Sequence, residues 1–314
     1  MSNDSNGKER VYNSIFLDKN WAHQKYYGWR VVQDQPGLRV LRKRRAVFSR
    51  SLILLTREGL GALDHAVKKE RSRVGLAEIV IHDFDNTFAK PPNLAGVEFR
   101  CAEQKERLLN IATMAIDLTQ DETEILAGMS SDYRRKIKKA KKNEVVVTPY
   151  PRPETKLQNA FSTGFKKFAK ERNLRPFDPG TLARMYENGD GVLFVARKAG
   201  QVVNYLHIYR SQHSAIFMYG LNLSKQNDGA GQYLHWKAIC YLKENGLSWY
   251  DLGGVASSDP ADGIYNFKKK FGAPVVSLGA EWISTGSLIR TSKALVEGMR
   301  ELTDRQHQSQ KDIS

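Results

Sequence analysis

Between residues 155 and 283 the hydrophobic pattern changes period in an order that few architectures accommodate. Leu157, Phe161, Phe165 and Phe168 recur at helical steps and predict a helix. Asp178-Pro179 then places a capping residue ahead of a proline suited to the first helical position, which predicts a second, shorter helix. Three apolar runs follow, Val192–Arg197, Val202–Tyr209 and Ala215–Leu221, separated by turns at Ala199-Gly200 and Ser211-Gln212. Such close spacing predicts strands joined as antiparallel hairpins. A helix is expected from about Gly231 to Asn245, stopped by Gly246. A strand at Trp249–Leu252, a glycine-rich loop, a short helix around Tyr265–Phe271 and a strand over Val275–Ile283 complete the series.

The first half repeats part of this order. Strands are predicted at Trp29–Gln33, Leu38–Leu41 and Ser51–Thr56, a helix over Glu58–Arg73, and strands at Leu76–His82 and Ala112–Leu118. A short helix ending near Gly28 precedes them, and an acidic loop, Asp83 to Asn86, follows the fourth strand. Thr119 and Glu122 have the spacing of a capping box. They open a predicted helix whose apolar face is Leu126, Met129, Tyr133, Ile137 and Ala140. Its other face carries Arg134, Arg135, Lys136, Lys138, Lys139, Lys141 and Lys142. The proline-rich stretch Pro149–Pro153 is the best boundary. It divides the chain into residues 1–148, including a basic connecting helix over 119–143, and residues 149–314, which end in an amphipathic helix from Ser287 to about Thr303 and a polar tail.

With 314 residues, 41% of them apolar, the chain can bury two cores. No apolar run approaches the ~18 residues of a membrane span, and Met1–Arg10 lacks the apolar segment of a secretion signal, so a cytoplasmic protein is expected. Cys101 and Cys240 form no paired motif and are expected to be buried, inert thiols. The histidines show no metal-binding spacing, and His207 is expected to be a satisfied core residue. Asp83 and Asp85 read as a polar loop. The net charge of +15 favours contact with a polyanion, whether nucleic acid, a phosphorylated substrate or an acidic membrane surface.

The element order predicted for the second half resembles that of the GNAT acyltransferase core, and several segments, in order, resemble the Fem family of peptidoglycan-bridge aminoacyltransferases. They are Trp21-Ala22 with Lys25 and Gly28-Trp29; Ile116-Asp117-Leu118; the basic run Tyr133–Lys142; and Tyr250-Asp251-Leu252-Gly253-Gly254 followed by Gly263-Ile264-Tyr265-Asn266-Phe267-Lys268 and Phe271-Gly272. The resemblance runs from about residue 16 to 284 and lacks that family's long coiled-coil arm. It implies an α/β protein of two GNAT-like subdomains, each a mixed, mostly antiparallel sheet flanked by helices. It further implies aminoacyl-tRNA as co-substrate, with no other cofactor, and an acceptor amine such as that of a peptidoglycan precursor.

Amide formation requires stabilisation of a tetrahedral oxyanion. The resemblance gives that role to Lys268; the plainer alternative is a solvated lysine in a run of three. Phe267 would wall the channel or lie under the donor's adenosine, or else be a core residue. Asp251 would accept a proton or orient the amine, or else cap the N–H groups of its glycine loop. Arg134, Arg135, Lys138 and Lys139 are the tRNA-binding candidates, with Tyr219 and Tyr265 as further substrate contacts. Gln226, Gly229 and Gly231 match the Q/R-x-x-G-x-G/A loop with which acyl-CoA-using GNAT enzymes hold a pyrophosphate, so an acyl-CoA donor is the alternative. A non-catalytic polyanion-binding protein of the same fold is a third reading, resting on charge.

Overall fold

The computed structural model describes residues 12, 14–21, 25–45, 48–71, 77–224, 228–256, 259 and 261–285. Residues 22–24 of the helix expected before Gly28, all of the helix expected from Ser287, and Gln226 lie outside them. In chain order the elements begin with β1 (Arg30–Gln35), β2 (Leu38–Arg45), β3 (Phe48–Leu55), α1 (Leu60–Arg71) and β4 (Ala77–Asp83). Three short strands follow, β5 (Asn93–Leu94), β6 (Val97–Glu98) and β7 (Arg100–Cys101), then β8 (Ala112–Asp117), α2 (Glu122–Gly128), α3 (Ser131–Lys142) and β9 (Val146–Tyr150). Next come α4 (Thr155–Glu171), α5 (Pro179–Glu187), β10 (Gly191–Lys198), β11 (Gln201–Arg210) and β12 (Ser214–Asn222). The last are α6 (Ala230–Glu244), β13 (Trp249–Gly254), α7 (Gly263–Lys269), β14 (Val275–Ser277) and β15 (Ala280–Thr285).

Two compact units result, and they are not consecutive halves. Of the described residues, one takes those of 28–109 and 278–285; the other takes those of 12–27 and 110–277. The first is built on the sheet β1-β2-β3-β4-β15-β7, the second on β14-β8-β13-β12-β11-β10-β9. Each large sheet is antiparallel except for one parallel pair, β3 with β4 and β12 with β13. Each parallel pair is bridged by one helix, α1 or α6, after a three-stranded meander. This shared β-β-β-α-β order is the twin GNAT-like architecture implied by the sequence.

The expected boundary at 148/149 falls inside the second unit, because β9 pairs along β10 with Pro149 opposite Phe194. β15, expected as the end of one continuous strand from Val275, instead belongs to the other sheet, with Trp282 opposite Ile81. The run is broken at Gly279, whose φ of 91° is a left-handed conformation and whose added Cβ would lie 1.8 Å from the carbonyl oxygen of Asp83.

The predicted 119–143 helix is two helices. Thr119 does not cap it, since its N–H and hydroxyl both donate to Asp117 Oδ1, at 2.9 and 2.7 Å. The cap is Asp121, whose N–H donates to Glu124 Oε2 at 3.0 Å. The chain restarts at Ser130, whose hydroxyl oxygen accepts from Tyr133 N–H at 3.3 Å. Cys240 is buried as expected, but Cys101 is exposed. Asp83 is buried and holds its loop, accepting from Thr87 Oγ1 at 2.9 Å and Phe88 N–H at 3.1 Å.

In the second unit the sheet separates two cores. Val192, Phe194 and Ala196 face α3 and α6, while Leu193 and Val195 face α4 and α5, as the two-residue period of a strand demands. β12 breaks that parity. His207 pairs with Tyr219 and Ile208 with Phe217, leaving Met218 as the extra residue of a bulge. Phe217 therefore packs with the α6 side and Tyr219 with the Phe161–Phe165 side, although both sit at odd positions of one strand.

Candidate active site

The glycine-rich end of β13 and the buried face of α7 meet. Asp262 caps α7, its carboxylate accepting from Ile264 N–H at 2.7 Å and Tyr265 N–H at 3.0 Å. Tyr265 and Lys268, three residues apart on one helical face, turn inward. Lys268 is 6% exposed, and its Nζ donates to Gly253 O at 2.8 Å and Gly254 O at 2.7 Å. An ammonium has three donors, so one N–H remains. Burial pulls the Lys268 pKa down to about 8, against the opposing pull of Asp251 and Asp262.

Asp251 is 1% exposed and accepts from Tyr12 O–H at 2.5 Å, from Gly253 N–H at 2.6 Å and from the Thr113 hydroxyl. Burial raises its pKa, with those hydrogen bonds opposing the shift. A carboxylate so enclosed fixes the β13 loop and, through it, the two carbonyls that hold Lys268.

Beside this loop lies a cleft of about 420 Å³ at the ends of β11 and β12 and the start of α6. Phe217, Leu234 and Phe267 form apolar wall; Asn204, Asn222 and Gln232 are polar. Gly229 and Gly231 line it, but Lys268 does not. The two glycines have different physical reasons. Gly229 has φ +79°, and a Cβ there would lie 2.1 Å from Lys136 O, so it is required by the approach of α3 to α6. A Cβ on Gly231 would meet only Asn204 Nδ2, at 3.6 Å, so packing does not require a glycine there.

Two further lining residues carry polar chemistry that the sequence did not flag. His235 is 5% exposed, and its Nδ1 lies 2.9 Å from Tyr250 Oη. Tyr250 is fully buried and this is its hydroxyl's partner among the described residues, so the phenol proton is best accommodated on Nδ1. The proton of the neutral ring then sits on Nε2. Burial, with Lys268 nearby, pushes the His235 pKa down to about 3, so the ring is neutral at pH 7. The second residue is Asp228, 5% exposed. Its Oδ1 accepts from Ala230 N–H at 3.0 Å, and its Oδ2 has no partner among the described residues.

The other expected site residues lie elsewhere. Tyr219 is turned by the β12 bulge into the aromatic cluster of Phe165 and Phe177. Tyr265 belongs to the core under α7. Arg134 is half-buried and its guanidinium donates to the carbonyls of Ala127 and Met129, closing the end of α2. Arg135, Lys138 and Lys139 are exposed on α3, with Arg135 paired to Asp132 at 2.9 Å. His207 is only half satisfied: Nδ1 is 2.9 Å from Tyr186 Oη, and Nε2 has no partner among the described residues. No group of three or more potential metal ligands occurs among the described residues.

Comparison with known proteins places this geometry. Residues 127–269 match the family described as "Acetyltransferase (GNAT) domain". The matched segment, less than half of the chain, is similar to GNAT acetyltransferase domains. No curated protein matches the sequence. Among solved structures, FemX is 15% identical with a TM-score of 0.64, covering 86% of this chain and 92% of its own. The C-terminal domain of a putative lysylphosphatidylglycerol synthetase from Agrobacterium fabrum is 13% identical, with a TM-score of 0.55 and coverages of 87% and 88%. L-PGS from Bacillus licheniformis is 12% identical, with a TM-score of 0.52 and coverages of 83% and 85%. These likenesses show the fold, which is that of Fem-type GNAT proteins. Within the GNAT domain the cleft sits beside the parallel β12–β13 pair, with α6 bridging that pair and Phe267 closing one wall.

Proposed function

We propose that this protein forms an amide bond between an aminoacyl group delivered by tRNA and an acceptor amine. The observation that carries the donor assignment is the lining of the GNAT cleft. Among its described residues there is no lysine or arginine, and the carboxylate of Asp228 stands at the start of α6. Bound CoA would bring a pyrophosphate to that helix start, beside a buried negative charge. An aminoacyl ester on a terminal adenosine brings no pyrophosphate there. The Fem resemblance supports the same reading and extends it to a peptidoglycan precursor as acceptor. Lys268 and the neutral Nε2–H of His235 are the donors proposed to steady the developing oxyanion, and Asp251 is a positioning residue for Lys268.

The second reading, an acyl-CoA donor, rests on the loop pattern ending at Gly231, where the cleft has space beside the helix start. Purified protein incubated with candidate acceptor amines and either charged tRNA or acetyl-CoA separates the two by mass spectrometry of the product. Aminoacylated product with tRNA, and none acetylated with acetyl-CoA, is expected; the reverse would replace this reading with the second. No described helix is long and apolar enough to cross a membrane.

A tRNA donor also requires a polyanion contact, and exposed α3 is proposed for it. Arg135, Lys138 and Lys139 changed together to Gln should weaken tRNA binding and flatten its salt dependence by ~0.7–0.9 log units for each phosphate no longer neutralised. Arg134 is left intact because it closes α2. Filter binding across a salt series gives the slope; an unchanged slope would return α3 to a merely solvated face.

A further inference from the structure

We infer that the cleft of the GNAT domain contains a binding site for a protonated primary amine, with Asp228 as its anionic partner. The inference rests on the proposed amide-forming reaction and names a substrate group that this reaction must hold. Asp228 lines the cleft, is 5% exposed, and leaves Oδ2 without a partner among the described residues. A buried carboxylate with an unmatched oxygen is costly, by several kcal/mol when no charge compensates it. No lysine or arginine lines the cleft among the described residues. The N-terminus of α6 compensates in part through Ala230 N–H, but that bond occupies Oδ1 alone.

Polar groups that share the cleft with this carboxylate can accept from an ammonium. Asn204, Asn222 and Ser224 place neutral acceptors in the same cleft. An ammonium carries three donors and needs acceptors around it. Asp228 offers one charged acceptor, and the amide and hydroxyl oxygens of the cleft offer neutral ones. Two substrates could supply the amine: the free α-amino group of an aminoacyl donor, or an acceptor amine in its protonated resting form. The shared chemistry is a primary ammonium on a short aliphatic carbon, and the two sources are separable by probe.

Ligand-observed NMR on the full chain, at pH 7, would compare L-alaninamide with N-acetyl-L-alaninamide as donor-head probes. Nα-acetyl-L-lysinamide, compared with its Nε-acetylated form, is the acceptor-type probe. Binding by the wild-type protein of at least one free amine, at least tenfold tighter than its acetylated partner, is expected, and the preferred probe identifies the source. Equal binding of each free and acetylated pair would overturn the site without any variant being made. Asp228→Asn retains an acceptor for Ala230 N–H while removing the charge. It should lose the tenfold preference and bind the acetylated probes as before; a preserved preference would overturn the assignment to Asp228. Transfer from charged tRNA, measured in parallel, tests the donor reading separately. Its absence with amine preference intact would sink that reading and leave the site, whereas its presence without amine preference would do the opposite.

Discussion

Turnover should fall about tenfold per pH unit above pH ~8, as Lys268 loses its charge. The Lys268 pKa is drawn down from 10.5 to about 8 by burial, so its ammonium form is lost within an accessible range. Two of its N–H groups hold Gly253 O and Gly254 O, and the third is the one proposed to face the oxyanion. Fold stability should move the other way. Between pH 8 and 10.5 the unfolded chain binds more protons at this residue than the folded chain, so stability rises with pH across that window. Below pH 8 the penalty for burying the charge is fully present, roughly 3 kcal/mol at ~1.4 kcal/mol per unit. Activity lost by unfolding would therefore show the opposite stability trend. Lys268→Met should lower turnover by ~10²–10³ and abolish the basic limb. It also strips two buried carbonyls of a donor, at ~1–3 kcal/mol each, but removes the buried charge, so the folded state should persist. A flat pH–rate profile from 7 to 9.5, together with near-normal turnover of folded Lys268→Met, would remove Lys268 from the chemistry.

What the sequence made legible was local. The β10–β11–β12 hairpins, the Asp178-Pro179 helix start and the α6 stop at Gly246 each depend on residues adjacent in the chain, and the structure contains all of them. What it concealed depends on distant partners or on a change of parity. The step from Leu126 to Met129 to Tyr133 stays in helical phase through the break at Ser130, so periodicity registers one helix where capping makes two. The apolar run Val275–Ile283 looks continuous because nothing local says that Trp282 will pair with Ile81, some two hundred residues earlier. The described residues of 12–27 and of 278–285 likewise cross to the unit that the chain order does not suggest. The candidate site divides along the same line. Phe267 and the loop glycines were found by motif and do meet in one cleft. Tyr219 was displaced by a bulge that a two-residue period cannot register. His235 belongs to no motif in the sequence, and its place in the cleft and its Tyr250 partner emerge only from the structure.

The two loop glycines should separate sharply on substitution, although the sequence motif treats them alike. Gly229→Ala places a Cβ 2.1 Å from Lys136 O at a left-handed φ of +79°. The left-handed backbone costs an alanine ~1–2 kcal/mol, and pushing α6 off α3 adds ~1–3 kcal/mol of overpacking. A loss of roughly 2–5 kcal/mol should lower the melting temperature by about 5–15 °C, whatever the donor. Gly231→Ala meets Asn204 Nδ2 at an ordinary 3.6 Å and lies in the first turn of a helix, where replacing glycine stabilises by ~0.5–1 kcal/mol. Its melting temperature should hold or rise. Gly231→Ala is therefore the variant that reports on the donor, because it adds a methyl group where a pyrophosphate would approach the N–H groups of α6 while leaving the fold alone. Transfer from charged tRNA should change no more than about twofold, since the terminal adenosine brings no pyrophosphate to that turn. A folded Gly231→Ala protein that loses acetyl-CoA binding measurable in the wild type would show that the loop holds a pyrophosphate, and the acyl-CoA reading would then displace the tRNA one.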